Sequence, residues 1–362
     1  MEFNRLAAIL VRNALRIKEN EVIEVTLTGE RKYMDFLDEF TLEVSKSGAF
    51  PTIRLQNPTY RKRFLKEVPE KYLGRTPPQM LKWIKDIHRH INIVTDAPDA
   101  SFPDVPKTRL RTAHEARRPI VEKINQRSRS TVYLPTTELA RHFRVPMKVF
   151  SDTLWSSLEI DYEKLRKQCK RFVDLLKSAK TRVEVLTGDD ACRLEFRIGT
   201  RSIYIEDGSW TLPAGSVFVS PMESTIQGEV LFDRLHINGK VVRNLHLQIR
   251  NGQIVSSSAE ENLSLFAQRL DGAYGDKDKI AGFGIGLNPG IGSIIGCDIT
   301  DVRCQGSVHV SIGSNLIFGG ENFSDLFWNL IDSSATVRID GVSIIERGQL
   351  IERTPAAPAS SS

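Results

Sequence analysis

The sequence has no apolar run as long as about 18 residues, so we expect no transmembrane helix. It has only four cysteines, and no two of them form a C-x-x-C pair. Thiols this sparse favour a reducing cytoplasm and argue against a disulfide framework. We also find no internal repeat. These absences leave an ordinary globular protein, in which 40% of the residues are hydrophobic and 26% are charged.

The first fifteen residues, MEFNRLAAILVRNAL, lack the features of a signal peptide, because a glutamate and two arginines interrupt the apolar pattern. Apolar residues recur at spacings of three and four positions, which predicts an amphipathic helix. The glycine-rich string Gly282 to Gly296 lacks the spacing G-x-G-x-x-G. Asn288-Pro289 would also break a helix there, so a dinucleotide loop is excluded.

The length of 362 residues predicts two domains, since single cores seldom grow beyond about 250–300 residues. Residues 1–180 alternate strand and helix, as in EVIEVTLT (21–28) followed by a helix that ends at Gly48. Strands dominate residues 181–353, and Asn238-Gly239 and Asn251-Gly252 are hairpin signals. We therefore expect an α/β N-terminal domain with a parallel sheet and a β-rich α+β C-terminal domain. Residues 354–362 are predicted to be a disordered tail.

Basic residues concentrate between Lys107 and Ser130, where the sequence has eight lysines and arginines and only two acidic residues, Glu115 and Glu122. A solvated helix face explains this run, and so does a surface for an acidic peptide. Nucleic acid is disfavoured because aromatic residues for base stacking are missing around the run.

The stretch Gly306 to Asn329, GSVHVSIGSNLIFGGENFSDLFWN, carries the most information about function. Its alternation predicts a half-buried strand with His309 on the face of Ser307 and Ser311. The stretch resembles the C-terminal region of the aminopeptidase T family, two-domain metallo-aminopeptidases. There, G-x-x-H-x-A-x-G is often followed by G-G-x-N-x-S-x-x-H-x-D. The turn K-x-G-A-x-P at Lys46 to Pro51 resembles that family's N-terminal domain.

The resemblance implies a metal site, but the residues at five of its six ligand positions differ from the family pattern. Of the six ligand positions, only His309 matches the family pattern. Outside these six, Glu223 of the P-x-E motif that follows Ser216 also matches it. One histidine cannot hold Zn²⁺ tightly, since zinc needs several imidazole, thiolate or carboxylate ligands. The resemblance therefore implies a peptidase fold without its metals. The five changed positions are Ser216, Gly282, Leu316, Phe327 and Asn329.

Three interpretations of His309 remain open: a buried strand residue without function, a polar contact in a ligand pocket, or a metal ligand. Cys297, Asp298, Asp301 and Cys304 lie close to it in sequence, but their spacing matches no zinc motif. Aromatic residues at emptied ligand positions would leave an apolar cleft for a side chain. The predicted cleft, with no catalytic residue, metal or cofactor, comprises Ser216, Glu223, Gly282, Phe283, Asn288, Arg303, His309, Phe327 and Asn329.

Three functions compete on this evidence. The first is a non-catalytic peptide-binding protein, similar to metal-free relatives that hold a precursor peptide for partner enzymes in ribosomal-peptide natural-product pathways. The second is a metal-free or re-purposed enzyme acting on a peptide or small molecule, in which His309 and Glu223 would carry out acid–base chemistry. The third is a regulatory or scaffold subunit. The resemblance also implies a homodimer, and we expect no nucleic-acid or membrane partner. The first hypothesis is favoured.

Overall fold

Most of the helices lie in the first half of the chain, and most of the strands lie in the second half. The computed structural model describes residues 2–29, 31–96, 104–177 and 181–351. The helices are α1 (Phe3–Ala8, continued by a π-helical segment, Ile9–Ala14), α2 (Met34–Lys46), α3 (Pro58–Glu67), α4 (Glu70–Leu73), α5 (Pro78–Asp86), α6 (Lys107–Asn125), α7 (Thr137–Phe143), α8 (Met147–Leu158), α9 (Tyr162–Leu176), α10 (Leu263–Asp271) and α11 (Asp298–Asp301).

Of the eighteen strands in the described residues, four lie before residue 180 and fourteen lie after it. In chain order, the strands are β1 (Val22–Thr28), β2 (Phe50–Gln56), β3 (Arg89–Val94), β4 (Ser128–Tyr133), β5 (Arg182–Thr187), β6 (Cys192–Arg197), β7 (Ile203–Glu206), β8 (Thr211–Leu212), β9 (Ser216–Val219), β10 (Gln227–Ile237), β11 (Lys240–Arg250), β12 (Gln253–Ser258), β13 (Ile280–Gly286), β14 (Val308–Gly313), β15 (Phe327–Asp332), β16 (Thr336–Ile339), β17 (Val342–Glu346) and β18 (Gln349–Leu350).

The chain divides into two compact units. The first comprises Met1–His142, Pro146–Tyr162 and Gly208–Pro213, and the second comprises Phe143–Val145, Glu163–Asp207 and Ala214–Ser362. The helix that begins at Tyr162 thus falls mainly in the second unit. The tail predicted for residues 354–362 lies outside the described residues.

The first unit is built on a parallel sheet in the order β2-β1-β3-β4-β8. Central strands of such a sheet are buried on both faces, which their apolar and β-branched residues allow. Ile23, Val25, Ile91 and Ile93 are fully buried. The α/β domain with a parallel sheet predicted from the sequence is confirmed.

Helix α6 contains most of the basic run, and it is continuous through Pro119 although the sequence predicts an interruption there. The hydroxyl of Thr76 donates a hydrogen bond of 2.7 Å to the carbonyl of Ala116, one turn before the proline. A helix carbonyl near a proline is thereby satisfied from outside the helix.

The arginines of the basic run have different environments. Arg109 donates to the carbonyls of Leu65 and Val68 and therefore has a structural role. Arg118 pairs with Glu122 at 2.8 Å along the helix surface. Arg117, by contrast, has two arginines for neighbours, and its pKa is lowered by burial and by the charges of those neighbours, Arg61 and Arg54.

The second unit contains two antiparallel sheets. One has eight strands in the order β12-β11-β10-β6-β5-β16-β17-β18, and the other has five in the order β15-β14-β13-β9-β7. The predicted hairpin turns are present, because Asn238-Gly239 and Asn251-Gly252 adopt positive φ between β10, β11 and β12. The ring of Phe196 in the first sheet lies 5.2 Å from that of Phe283 in the second, so the two sheets share a core.

Within the described ranges, no helix is long and apolar enough to cross a membrane. All four cysteines are free and buried.

Candidate functional site

The candidate site lies on one face of the five-stranded sheet. Cross-strand partners share a face, and β13 pairs with β14 on one side and β9 on the other. Gly282, Gly284 and Gly286 of β13 point to this face, which we call the glycine face. Its rows, read across the strands, are Gly282-Ser311-Asn329, Tyr204-Phe218-Gly284-His309 and Glu206-Ser216-Gly286.

Neighbouring side chains press directly onto the glycines of β13. A Cβ atom at Gly282 would lie 2.0 Å from Cζ of Phe218, and one at Gly284 would lie 2.2 Å from Nε2 of His309. A Cβ atom at Gly286 would meet the carbonyl oxygen of Cys304 at 2.0 Å. Only glycine allows such close approach, so the side chains and backbone packed on β13 require glycine at these three positions.

His309 is enclosed in the glycine face, with 3% of its surface exposed. Its ring stacks on that of Phe218, with 5.9 Å between centroids and 9° between planes. Its Nδ1 atom is buried without a hydrogen-bond partner. Burial, together with the charge of Arg303, lowers its pKa to about 3. The imidazole is therefore neutral at physiological pH.

Four aromatic rings cover the glycine face beside His309, and we call them the aromatic cluster: Tyr204, Phe218, Phe318 and Phe327. The Phe318 ring lies 4.6 Å from Phe218, 5.4 Å from Phe327 and 5.1 Å from Tyr204. Phe218 is 9% exposed, whereas Tyr204 is 37% and Phe327 41% exposed. The cluster thus has a buried base and an exposed rim.

Ser216 belongs to a charged network at one end of the glycine face. Its hydroxyl donates a 2.8 Å hydrogen bond to the Glu206 carboxylate, which also accepts one of 2.7 Å from Arg303. Arg303 is 7% exposed and donates to the carbonyl of Ile299 at 2.6 Å as well. The carboxylate of Glu206 is therefore already neutralised by a buried guanidinium.

Asn329 lies at the other end of the glycine face, opposite Ser311. The Ser311 hydroxyl donates a hydrogen bond of 2.6 Å to its side-chain oxygen. Two neutral groups satisfy each other here, and neither brings a charge to the face.

The Glu223 carboxylate accepts hydrogen bonds from three donors. Arg201 reaches one carboxylate oxygen at 2.6 Å, and the Asn315 amide and the N–H of Glu321 reach the other at 2.9 Å and 3.0 Å. Burial opposes ionisation, but backbone hydrogen bonds, the Asn315 amide and Arg201 outweigh it and hold the pKa of Glu223 below its ordinary value.

Two of the residues predicted for the cleft are not brought to the glycine face. Phe283 alternates with Gly282 and Gly284, so it points to the opposite face and packs on Phe196 in the core. Asn288 is fully buried, and its amide donates to the carbonyl of Ala214 at 2.6 Å. Asn288 therefore has a structural role, because its hydrogen bond joins the segment after β13 to the segment before β9.

The sequence profile of the thermophilic metalloprotease (M29) family matches residues 1–276. The chain belongs to the thermophilic metalloprotease family. No curated protein matches the sequence.

Two solved structures have folds that match this chain. AmpT from Thermus thermophilus has a TM-score of 0.68 and 16% identity, with 96% of this chain and 98% of that chain covered. The 2,5-dihydroxypyridine dioxygenase from Pseudomonas putida KT2440 has a TM-score of 0.64 and 13% identity, with 97% of each chain covered. Identities this low show the fold alone, and the predicted aminopeptidase T-like fold is confirmed.

A metalloprotease needs metal ligands, and the residues of the glycine face do not fit such a centre. In the part of the chain that the structure describes, one group of three His, Cys, Asp or Glu side chains has ligand atoms close enough together to hold an ion. This group is Cys192, Glu229 and His246, on the eight-stranded sheet. On the glycine face, His309 has phenyl and glycine neighbours instead of carboxylates.

Sequence reasoning missed Phe218, Phe318, Tyr204 and Glu206. A signal for Phe218 was present, because it stands two residues after Ser216 in an alternating strand and must share its face. Tyr204 and Glu206 lie opposite Phe218 and Ser216 on β7, a pairing that depends on the register of two short strands. Nothing in the sequence indicates that register.

Proposed function

We propose that this chain is a metal-free, non-catalytic member of the thermophilic metalloprotease family, which binds an extended peptide and holds it for partner enzymes in peptide natural-product biosynthesis. The observation that carries the proposal is the Phe218 ring above Gly282. The resemblance to aminopeptidase T places a bridging glutamate at position 282. A phenyl ring occupies the space that this carboxylate would need.

Charge on the glycine face supports the absence of hydrolysis. Glu206 on this face pairs with Arg303 at 2.7 Å, and Glu223 of the predicted cleft pairs with Arg201 at 2.6 Å. A metal ion would have to displace these guanidinium groups, which costs their buried ion pairs. Charge is thus compensated on this face without an ion.

The exposed rim of the aromatic cluster supports binding. Tyr204 and Phe327 are more than one-third exposed, and the adjacent Ile317 is 81% exposed. Exposed aromatic groups over a packed base are typical of surfaces that take apolar side chains. Because the family is one of proteases, a peptide is the ligand that its scaffold suits.

A sheet edge supports an extended conformation for the peptide. β7 is the outer strand of the five-stranded sheet, and its Ile205 is 36% exposed. A peptide strand added at such an edge gains main-chain hydrogen bonds, while the side chains that alternate toward the aromatic cluster supply specificity.

An acidic precursor peptide is the favoured ligand, because Arg54, Arg61 and Arg117 form a positive group in the first unit. The homodimer, the partner enzymes and the cytoplasmic location stay predictions. Four free, buried cysteines are compatible with a reducing compartment.

The competing metal-free enzyme would use His309 and Glu223 as base and acid. With a pKa of about 3, His309 is a weak base at neutral pH. Glu223 is held ionised by its donors and is a poor proton source. No contact between the two side chains favours this function.

Calorimetric titration of the full chain with short synthetic peptides tests the proposal. We expect saturable binding of acidic peptides that carry apolar side chains at alternate positions, and no cleavage by mass spectrometry with or without added Zn²⁺, Mn²⁺ or Co²⁺. Phe327→Ala should weaken binding about tenfold, as for a contact at the centre of an interface. Phe323→Ala is the matched control, since Phe323 is exposed but lies against Tyr274.

Two results would contradict the proposal. One is the absence of saturable binding to every peptide. The other is metal-dependent peptide cleavage that His309→Ala abolishes and Cys192→Ser leaves intact, because that would assign the activity to the glycine face.

A further inference from the structure

A second cluster of chemically active side chains lies on the eight-stranded sheet, apart from the glycine face. Cys192 is the first residue of β6, Glu229 lies in β10 and His246 lies in β11. One ligand atom from each, the thiol sulfur, a carboxylate oxygen and an imidazole nitrogen, lies within 4.8 Å of the other two. We propose that these three side chains bind one zinc ion.

The sheet itself brings Glu229 and His246 together. In the antiparallel pairing of β10 and β11, Glu229 is opposite Gln248 and Leu231 is opposite His246, so the two side chains are diagonal neighbours on one face. His246 Nε2 and the Glu229 carboxylate are 2.8 Å apart. Both side chains stand on long paired strands, which hold ligands more rigidly than loops do.

A tight turn positions Cys192 beside Glu229 and His246. Gly188, Asp189 and Asp190 all have positive φ, which reverses the chain between β5 and β6. The turn is tied to β10, because the N–H of Leu231 donates to the Thr187 hydroxyl at 2.8 Å. The three strands that carry the ligands are therefore fixed relative to one another.

The donor set is the one that zinc prefers. Thiolate, imidazole and carboxylate are its three usual protein ligands, and three of them leave the fourth tetrahedral position open for water. Cys192 is 9% exposed, and burial together with the charge of Glu229 raises the pKa of its thiol. Without a metal the thiol keeps its proton, and zinc binding would release it.

A cavity adjoins the cluster and shares Glu229 with it. Its volume is about 520 Å³, and Arg193, Gln227, Gln248 and Arg250 contribute to its wall. An ion held by Glu229 would thus have space beside it for a water molecule or a small anion. This site does not depend on the proposed function, since it shares no residue with the glycine face.

Cobalt substitution tests the site, because Co²⁺ occupies zinc sites and gives a charge-transfer band only when a thiolate is bound. The full chain, stripped with a chelator and dialysed, is titrated with Co²⁺. We expect saturation at one equivalent with a thiolate band that Zn²⁺ then removes. Cys192→Ser should abolish the band, and Glu229→Gln and His246→Gln should weaken Co²⁺ binding at least about tenfold.

His236→Gln is the matched control, because His236 lies on the same strand as Glu229 but outside the cluster. It should leave both the band and the affinity unchanged. Thermal unfolding with and without Zn²⁺ gives a second measurement, in which the wild type gains stability and Cys192→Ser does not. The proposal is overturned if no one-equivalent binding occurs, if the band persists in Cys192→Ser, or if His236→Gln weakens binding as much as His246→Gln.

Discussion

The imidazole of His309 and the ring of Phe218 stack across Gly284, nearly parallel, with their centroids 5.9 Å apart. The two side chains come from β14 and β9, and the glycine on the intervening β13 leaves them room. Neither ring carries a charge, because the imidazole of His309, with its pKa of about 3, is neutral at physiological pH. The first two predictions concern the stability and the titration of this stack.

Gly284→Ala should destabilise the protein by about 1–3 kcal/mol, the usual cost of overpacking a core. The new Cβ atom would lie 2.2 Å from two atoms of the His309 ring, which cannot move away without disturbing Phe218. Urea denaturation measures the free energy of unfolding. Gly292→Ala is the control, since no atom lies within 4 Å of its Cβ position, and it should change stability by less than about 0.5 kcal/mol. Equal effects of the two substitutions would show that the stack is loose.

Stability should fall as the pH is lowered from about 6.5, because His309 titrates near its ordinary value of 6.5 when unfolded but at about 3 when folded. Between these values the unfolded state binds one more proton, and one proton changes the unfolding free energy by about 1.4 kcal/mol per pH unit.

His309→Phe isolates this effect, and its stability should depend less on pH in the same window. Asp301 has the opposite influence, because burial raises its pKa to about 6 and the folded state then binds more protons between its ordinary value of 3.8 and 6. It is present in both proteins and cancels in the difference. Urea midpoints across the pH range provide the measurement, and parallel curves would mean that His309 does not titrate as described.

Arg303→Met should lower the unfolding free energy by about 2–4 kcal/mol, because it leaves the Glu206 carboxylate without its positive partner and removes the donor to the carbonyl of Ile299. The value is below that of a fully buried pair, since the Glu206 side chain is 29% exposed and can be hydrated. Arg243→Met removes an exposed ion pair with Glu261 and should cost less than about 1 kcal/mol. Similar losses in the two variants would contradict a special role for Arg303.

Acidic peptides should lose about tenfold in affinity when Arg61 and Arg117 are both replaced by serine, measured by fluorescence anisotropy at low salt. Arg117 has no carboxylate partner among the described residues, and its arginine neighbours strengthen the local positive potential. Arg111→Ser with Arg118→Ser removes the same net charge from α6, the helix of Arg117, but these arginines are paired with Glu115 and Glu122. If both double variants weaken binding equally, only overall charge matters.

The fold was largely predictable where local chemistry decides it. The β-branched run of β1 and the Asn-Gly turns at 238 and 251 specify their elements without help from the rest of the chain. Strand β13 was not predictable as a strand, because glycine at 282, 284 and 286 opposes strand formation. The strand forms because tertiary neighbours on both sides pair with it.

The site was predictable only in part, for a related reason. Alternation placed His309 correctly with Ser307 and Ser311, since period 2 within one strand is a local property. The Phe218 stack and the Glu206–Arg303 pair join residues 91 and 97 positions apart. Such contacts depend on strand register and loop paths that no local pattern encodes.

The ring of Phe218 above Gly282 also limits how this protein can be altered. A glutamate introduced at 282 would collide with the ring, since even a Cβ atom would lie 2.0 Å from it. A smaller residue at 218 alone would leave a void over bare glycine. Either change alone is therefore unfavourable, and a carboxylate can enter this strand only through a coordinated double substitution. Screens that vary one codon at a time will not find it.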